Sequence, residues 1–242
     1  MQILYNAVMV AVIGLAASAG MATGARAAIQ NSTADASHFA QGPDEADGQS
    51  GEAEAKLIIS RDIMPVLGNL VIARLRWPAD PVAGCAAANR AESAVDVVEQ
   101  NIGALRRRLV AENGDDEAVQ EMFGDMPNLR LITTKATAGL CGQSPPLTVD
   151  EKVVFNKAAD MAEVFFARLA GAANATVRDD YEVSCQNLHL ARTTGSDLQS
   201  YLLIESRKSK IVSHELGPDG AMKFFSEATG LIEEGVSDCD AQ

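Results

Sequence analysis

The stretch that decides the fold is PVAGCAAANRAESAVDVVEQNIGALRRRLVAE, which spans residues 81–112. Its apolar residues recur at alternating steps of four and three, a spacing that places side chains on one face of an α-helix. Those residues are Ala91, Val95, Val98, Ile102, Leu105 and Leu109. Asp80-Pro81 is typical of a helix start and Asn113-Gly114 of a helix end. We therefore predict one helix here, about 48 Å long at 1.5 Å per residue.

Helical periodicity continues on both sides of this segment. We predict further helices at 57–76 (kinked at Pro65), 116–123, 128–139, 149–170, 180–191, 196–217 and 219–234. Gly171 and Gly235 are interpreted as the stops of two of these helices. Strand is an alternative at 129–134 and 201–204, but no stretch shows convincing β alternation. The sequence predicts an all-α fold, a helical bundle of about six to eight helices.

The four cysteines show a regular spacing. Cys85 and Cys141 are 56 residues apart, and Cys185 and Cys239 are 54 apart. An even number of cysteines in an exported chain indicates two disulfides, and of the three possible pairings we favour these two. The triplet Ala-Arg-Leu occurs at 73–75 and again at 167–169. Two related halves, about 56–145 and 146–242, within one α-helical domain at 56–242 are one interpretation of these features. Coincidence is the other, and it is favoured because the intervening sequences align poorly.

The N-terminal residues indicate export. Residues 3–23 are almost continuously apolar or small, and Ala25-Arg26-Ala27 has the form of a signal-peptidase site. We therefore interpret 1–27 as a signal peptide that is removed, with an uncleaved membrane anchor as the alternative. Residues 28–55 contain six acidic residues and no basic ones, which predicts a disordered acidic linker. The expected location is periplasmic or secreted.

The charge balance excludes some classes of partner. The 242 residues include 33 acidic and 20 basic ones, a formal net charge of −13. Binding to nucleic acid or to an anionic membrane surface requires clustered basic side chains to neutralise phosphate. The sequence therefore predicts no nucleic-acid partner, and no membrane association once the signal peptide is gone.

Motifs for catalysis and for cofactors are missing from the sequence. It contains no G-x-S-x-G nucleophile elbow, no phosphate-binding loop and no dinucleotide fingerprint. Glu182, Cys185 and His189 share one helical face and suit zinc, but a cysteine bonded in a disulfide cannot serve as a ligand. His214 is interpreted as a residue near a helix end. We thus predict no catalytic residue, no metal ligand and no cofactor.

Two local features have a functional and a structural interpretation. In the functional interpretation, Arg106-Arg107-Arg108 binds an acidic partner or the acidic linker itself. In the structural interpretation these arginines form a solvated helix face, and this interpretation is favoured. Trp77, the only tryptophan, either anchors a partner or packs at a helix end, and packing is favoured.

The sequence therefore favours an exported, soluble, non-catalytic helical protein. Its expected role is binding or scaffolding in the bacterial periplasm or cell envelope, with another protein as its partner. Two alternatives stay open. One is an envelope hydrolase whose carboxylates converge only in the folded chain, and the other is a metal or haem binder within the bundle.

Overall fold

The computed structural model describes residues 58–113, 127–178, 180–217 and 221–240. The predicted signal peptide, the predicted acidic linker and the predicted helix at 116–123 lie outside these ranges. Within them, the secondary structure is helical and contains no strand.

Seven α-helices make up the described part of the chain. A π-helical turn, Ile59–Ile63, leads into the first of them. The helices are α1 (Met64–Arg76), α2 (Pro81–Asn113), α3 (Pro127–Leu140), α4 (Val149–Val177), α5 (Tyr181–Glu205), α6 (Lys210–Leu216) and α7 (Ala221–Asp240). The predicted all-α bundle is confirmed, and the residues at 129–134 and 201–204 are helical.

The helices pack in the order α3, α2, α1, α4, α5 and α7, so that α1 and α4 form the centre of the bundle. These two central helices are antiparallel. The backbone of Gly68 lies against Phe166, and Arg76 donates a 2.7 Å hydrogen bond to Asp160, which is earlier in α4. Aromatic rings fill the second half of the core, where Phe155, Phe165 and Phe225 are fully buried.

Two disulfides cross-link the bundle, one in each half. Cys85 is bonded to Cys141 and Cys185 to Cys239. In the first half (α1–α3) the bond joins the start of α2 to the residue that follows α3, and in the second half (α4–α7) it joins the start of α5 to the end of α7. The helices α2, α1, α4 and α5 pack in that order, and each is antiparallel to the next. The start of α2 and the start of α5 therefore lie at opposite ends of the bundle, and so do the two disulfides.

Helices α2 and α5 begin in the same way. The carboxylate of Asp80 accepts a hydrogen bond from the Ala83 backbone N–H, and Asp180 accepts one from Val183. A cysteine follows each aspartate by five residues. Five buried positions, 84, 91, 95, 98 and 105, have buried counterparts one hundred residues later, at 184, 191, 195, 198 and 205, whereas the buried positions 87, 88 and 109 do not.

The relation between the two halves stays a prediction, although the caps and the buried positions favour it. The Ala-Arg-Leu triplets are not part of that correspondence. Leu75 precedes the capping Asp80 by five residues, whereas Leu169 precedes Asp180 by eleven.

The prediction that Gly171 and Gly235 end helices is wrong, because α4 runs to Val177 and α7 to Asp240. Gly171 instead allows a neighbouring helix to come close, because a Cβ atom at this position would lie 3.0 Å from the Asn187 side chain. A Cβ atom at position 235 would lie 3.4 Å from Leu188, which is an ordinary contact. A glycine inside a helix costs about 1 kcal/mol relative to alanine, and close helix packing offsets that cost at Gly171.

The predicted break between residues 191 and 196 is also wrong, since α5 is continuous from Tyr181 to Glu205. The sequence predicts a new helix that starts at Ser196. The chain continues through it because Gly195 is buried against Phe165 and Thr229, which fixes the backbone in the core. The new helix begins later, where Ser209 accepts a hydrogen bond from the Val212 backbone N–H and caps α6.

Across the described ranges, the helices contain no segment that combines the length and the apolar character needed to cross a bilayer.

Candidate functional site

A buried carboxylate marks one end of the second half of the bundle. Glu205, the last residue of α5, is only 8% exposed. The corresponding position in α2 is Leu105, which is an ordinary core residue. Burial of a charge is costly unless it is paired, so an acid in a core position is a departure from the packing pattern. Such departures concentrate at functional sites.

The polar groups around Glu205 come from α4, from α5 and from the turn that follows α5. Lys208 donates a 2.6 Å hydrogen bond to the Glu205 carboxylate. Tyr201, one turn earlier, donates a 3.4 Å hydrogen bond from its hydroxyl to the Val154 carbonyl. The ammonium of Lys157 lies 4.7 Å from the centre of the Tyr201 ring, a cation–π geometry. We call Lys157, Tyr201, Glu205 and Lys208 the tyrosine cluster.

Burial raises the pKa of Tyr201 to about 12, and the negative charge of Glu205 contributes in the same direction. In a Tyr181→Phe background, Tyr201 is the single tyrosine of residues 28–242, so its ionisation can be followed by ultraviolet absorbance. We expect Glu205→Gln to lower this pKa by part of the shift, because burial remains. The exposed Glu182, on the same helix, provides the control Glu182→Gln. An unchanged pKa in Glu205→Gln would show that the carboxylate does not act on the ring.

An apolar surface borders the tyrosine cluster. Val153 lies one turn before Lys157 on α4, and Ile204 lies almost one turn after Tyr201 on α5. Since Lys157 and Tyr201 touch and the helices are antiparallel, Val153 and Ile204 flank the same seam. Val149, the first residue of α4, lies one turn before Val153. We call Val149, Val153 and Ile204 the apolar patch, and they are 78%, 60% and 61% exposed.

The apolar patch belongs to a wider asymmetry between the halves. Twelve large hydrophobic side chains are exposed among the residues described, and eight of them lie on α4 and α5. Those eight are Val149, Val153, Val164, Tyr181, Val183, Leu190, Leu203 and Ile204. Scattered exposed hydrophobics are normal, but a concentration on one helix pair is typical of an interaction surface.

A second buried carboxylate, Asp62, lies in the π-helical turn before α1. Arg61 holds it through two hydrogen bonds of 2.7 and 2.8 Å, and the Asn101 amide donates a third of 2.7 Å. Burial by itself would raise the pKa of Asp62, but these hydrogen bonds and the charge of Arg61 together lower it. Because Asn101 lies on α2, the cluster ties the start of α1 to α2.

The lowered pKa makes the stability of the protein depend on pH. The ionised Asp62 stabilises the folded state above its pKa in the unfolded chain, and this contribution is lost as the pH falls through the folded value. We expect Asp62→Asn to cost about 1–2 kcal/mol at neutral pH, because hydrogen bonds to a charged group are lost. The difference between the variant and the wild type should shrink below about pH 4. Urea unfolding at several pH values measures this.

The control for that experiment is Asp197→Asn, at an exposed position of α5, where we expect a change below about 0.5 kcal/mol. A constant difference between Asp62→Asn and the wild type from neutral to acidic pH would contradict the stabilising role of the ionised carboxylate.

The two buried carboxylates are far apart. Asp62 lies beside α2 before the start of α1, whereas Glu205 lies near Val154 at the start of α4. Since α1 and α4 are antiparallel, these places are opposite ends of the bundle. Asp62 and Glu205, the two buried carboxylates among the described residues, are therefore not paired with each other.

Two of the three residues considered as zinc ligands, Cys185 and His189, have other partners. Cys185 is bonded to Cys239, and His189 lies 3.3 Å from Asp240. In the ranges that the structure describes, no group of three histidine, cysteine or acidic residues has metal-binding geometry.

The other sequence candidates occupy structural positions. His214 is in the last turn of α6 and 79% exposed. Trp77 follows α1 and is half-buried. The Arg74 guanidinium lies 5.4 Å from the centre of the Trp77 ring, and the Trp77 backbone lies against Gly84. Arg74 also pairs with Glu215 of α6, so these contacts hold α6 against the centre of the bundle.

Comparison with known proteins gave no relative: no family model, no curated protein and no solved structure matches the chain. Functional conclusions therefore rest on the residues themselves.

Sequence reasoning missed both Glu205 and the apolar patch. One signal was available for Glu205, because the heptad pattern of α2 repeats in α5 and places an acid where α2 has Leu105. The patch had no comparable signal, since Val149, Val153 and Ile204 fit a helical core as well as a surface. The inference that they lie along one seam depends on the antiparallel register of α4 and α5.

Proposed function

We propose that this chain is an exported, non-catalytic protein that binds another protein in the bacterial periplasm or cell envelope. The two disulfides support the location, because such bonds persist in oxidising compartments and are rare in the cytosol. The signal-like residues 1–27 support the same location independently.

The apolar patch is the single observation that supports a binding role most strongly. Val149 and Ile204 each expose more than half of a branched apolar side chain. Water contact with such groups is unfavourable by about 25 cal/mol per Å², so a partner that covers them gains free energy. The neighbouring Lys157 and Lys208 supply polar groups at the rim, as in a typical protein interface.

The helical seam gives this surface a shape that suits a partner helix. Two antiparallel helices form a shallow groove, and apolar anchors one turn apart match the spacing of an amphipathic helix. The Tyr201 hydroxyl of α5 donates a hydrogen bond to the Val154 carbonyl of α4 beside this surface, so the two helices are held together there and the surface costs less entropy on binding.

Site-specific photocrosslinking in intact cells tests this proposal. A photoreactive residue at Val153 or Ile204 is expected to give a discrete crosslinked protein. The matched control is Val97, which is 48% exposed on α2 in the first half. Crosslinking from position 204 should disappear when Val149 and Val153 are both changed to Glu, while the urea midpoint of unfolding stays the same.

Two results would contradict the proposal. One is the absence of any crosslinked protein from both patch positions. The other is an identical product from Val97, which would show that the patch has no preference over an ordinary exposed valine.

A further inference from the structure

Exposed basic side chains surround the apolar patch. Lys152 is on the first turn of α4, directly before Val153. Arg207 follows Ile204 by three residues, in the turn after α5, so the two side chains lie near each other. Lys210 is the first residue of α6. All three cations are exposed, and their side chains form no hydrogen bond or ion pair within the ranges that the structure describes.

The start of α4 and the start of α6 lie side by side. A hydrogen bond with the Ser209 side chain lowers the pKa of Glu151, and hydrogen bonds with Thr148 lower it further. Lys152 directly follows Glu151 in sequence. Lys210 directly follows Ser209, so both cations lie at this junction. Helix α6 also contacts both α4 and α5, which places its first residue at the same end of the bundle as the patch.

Two of the three acidic residues beside the patch are already bonded within the chain. Glu151 accepts hydrogen bonds of 2.9 and 3.0 Å from Thr148, and Glu205 is buried and paired with Lys208. Only Asp150 is an exposed acid there. Residues 149–157 and 201–210 together contain five basic and three acidic residues, whereas the whole chain has a formal net charge of −13. The patch therefore lies in a locally positive part of a negative protein.

An amphipathic helix with acidic flanks fits this combination of groups. Its apolar face would cover the exposed valine and isoleucine side chains, in the way that helices dock into grooves. Its carboxylates would meet cations that have no partner within the described chain. The net negative charge of the chain repels such a helix elsewhere, so charge restricts the docking to this place.

We propose that the apolar patch receives an acidic amphipathic helix of another protein, with Lys152, Arg207 and Lys210 as contacts for its carboxylates. This inference rests on the binding role proposed above and specifies the chemistry of the partner. The cations direct the helix to the patch and set its orientation, and the apolar contacts hold it there.

Fluorescence anisotropy with two designed peptides and the purified protein tests the inference. Both peptides are amphipathic helices of about 18 residues with the same leucine face, and the polar face carries glutamate in one and lysine in the other. We expect the glutamate peptide to bind more tightly, although the protein is itself acidic. The triple variant Lys152→Glu, Arg207→Glu and Lys210→Glu should weaken its binding about tenfold, because three exposed ion pairs are replaced by repulsion.

The matched control reverses three exposed cations that lie elsewhere, with Arg107→Glu, Lys135→Glu and Arg178→Glu. This control changes the net charge by the same amount and should leave the affinity for the glutamate peptide unchanged. Equal losses in the two triple variants would overturn the inference, and so would tighter binding of the lysine peptide.

Two other occupants of the patch give different results. Binding to phosphatidylglycerol vesicles in place of the glutamate peptide would assign the patch to an anionic membrane and overturn the inference. A dimer in sedimentation that only the first triple variant dissociates would assign it to a second copy of this chain, with the same consequence. Photocrosslinking at Val153 and Ile204 tests the binding role separately, because it does not depend on the charge of the partner.

Discussion

Removing the first disulfide by Cys85→Ser with Cys141→Ser is expected to lower the free energy of unfolding by about 4 kcal/mol. The bond closes a loop of 56 residues, and its loss lets the unfolded chain gain conformational entropy. The second disulfide closes a loop of 54 residues. Because the entropy depends on the logarithm of loop length, Cys185→Ser with Cys239→Ser should cost nearly the same.

Urea unfolding of the two double variants and of the variant without cysteines measures these effects. Loss of both bonds should cost about 8 kcal/mol, which is comparable with the whole stability of a typical domain. The chain without cysteines is therefore expected to be largely unfolded. Two variants as stable as the wild type would show that the bonds do not constrain the unfolded chain.

The second large effect is expected from Phe165→Ala, with a loss of about 3–5 kcal/mol. Phe165 is fully buried on α4 and meets Phe166 and Phe225 edge to face, with ring centres 5.4 and 5.5 Å apart. Its ring also contacts the position of Gly195 on α5. Truncation leaves a cavity where α4, α5 and α7 meet, and the helices cannot close it without moving apart.

The neighbouring residue provides the control for this experiment. Val164→Ala removes an exposed side chain from the same turn of α4 and should change stability by less than about 0.5 kcal/mol. Phe165→Leu should give an intermediate loss. Equal urea midpoints for Phe165→Ala and Val164→Ala would contradict the central position of this ring.

The helices that could be predicted from the sequence are those with both an apolar stripe and local end signals. Residues 81–112 were predicted as one helix, and α2 extends only to Asn113. The cysteine spacing also led to the observed disulfides. The error at Gly171 arises because glycine has two uses, as a helix end and as a site of close approach. Which use applies depends on the helix packed against it.

The candidate site was less predictable than the fold. A cluster such as Tyr201, Glu205 and Lys157 joins residues that are more than forty positions apart, so it depends on the register between α4 and α5. Sequence periodicity assigns Tyr201 and Glu205 to one helical face but does not say what that face meets. Asp62 was missed for the same reason, because its partner Asn101 lies 39 residues away.

We propose that this chain acts outside the cytosol as an oxidised protein, and intact mass measurement on protein from its native host is the test. Without reduction, we expect a chain that begins at Ala28 and is four hydrogen atoms lighter than its sequence, two for each disulfide. Thiol alkylation in denaturant without a reductant should add nothing. A chain that retains residues 1–27 and takes up four alkyl groups would contradict the proposal.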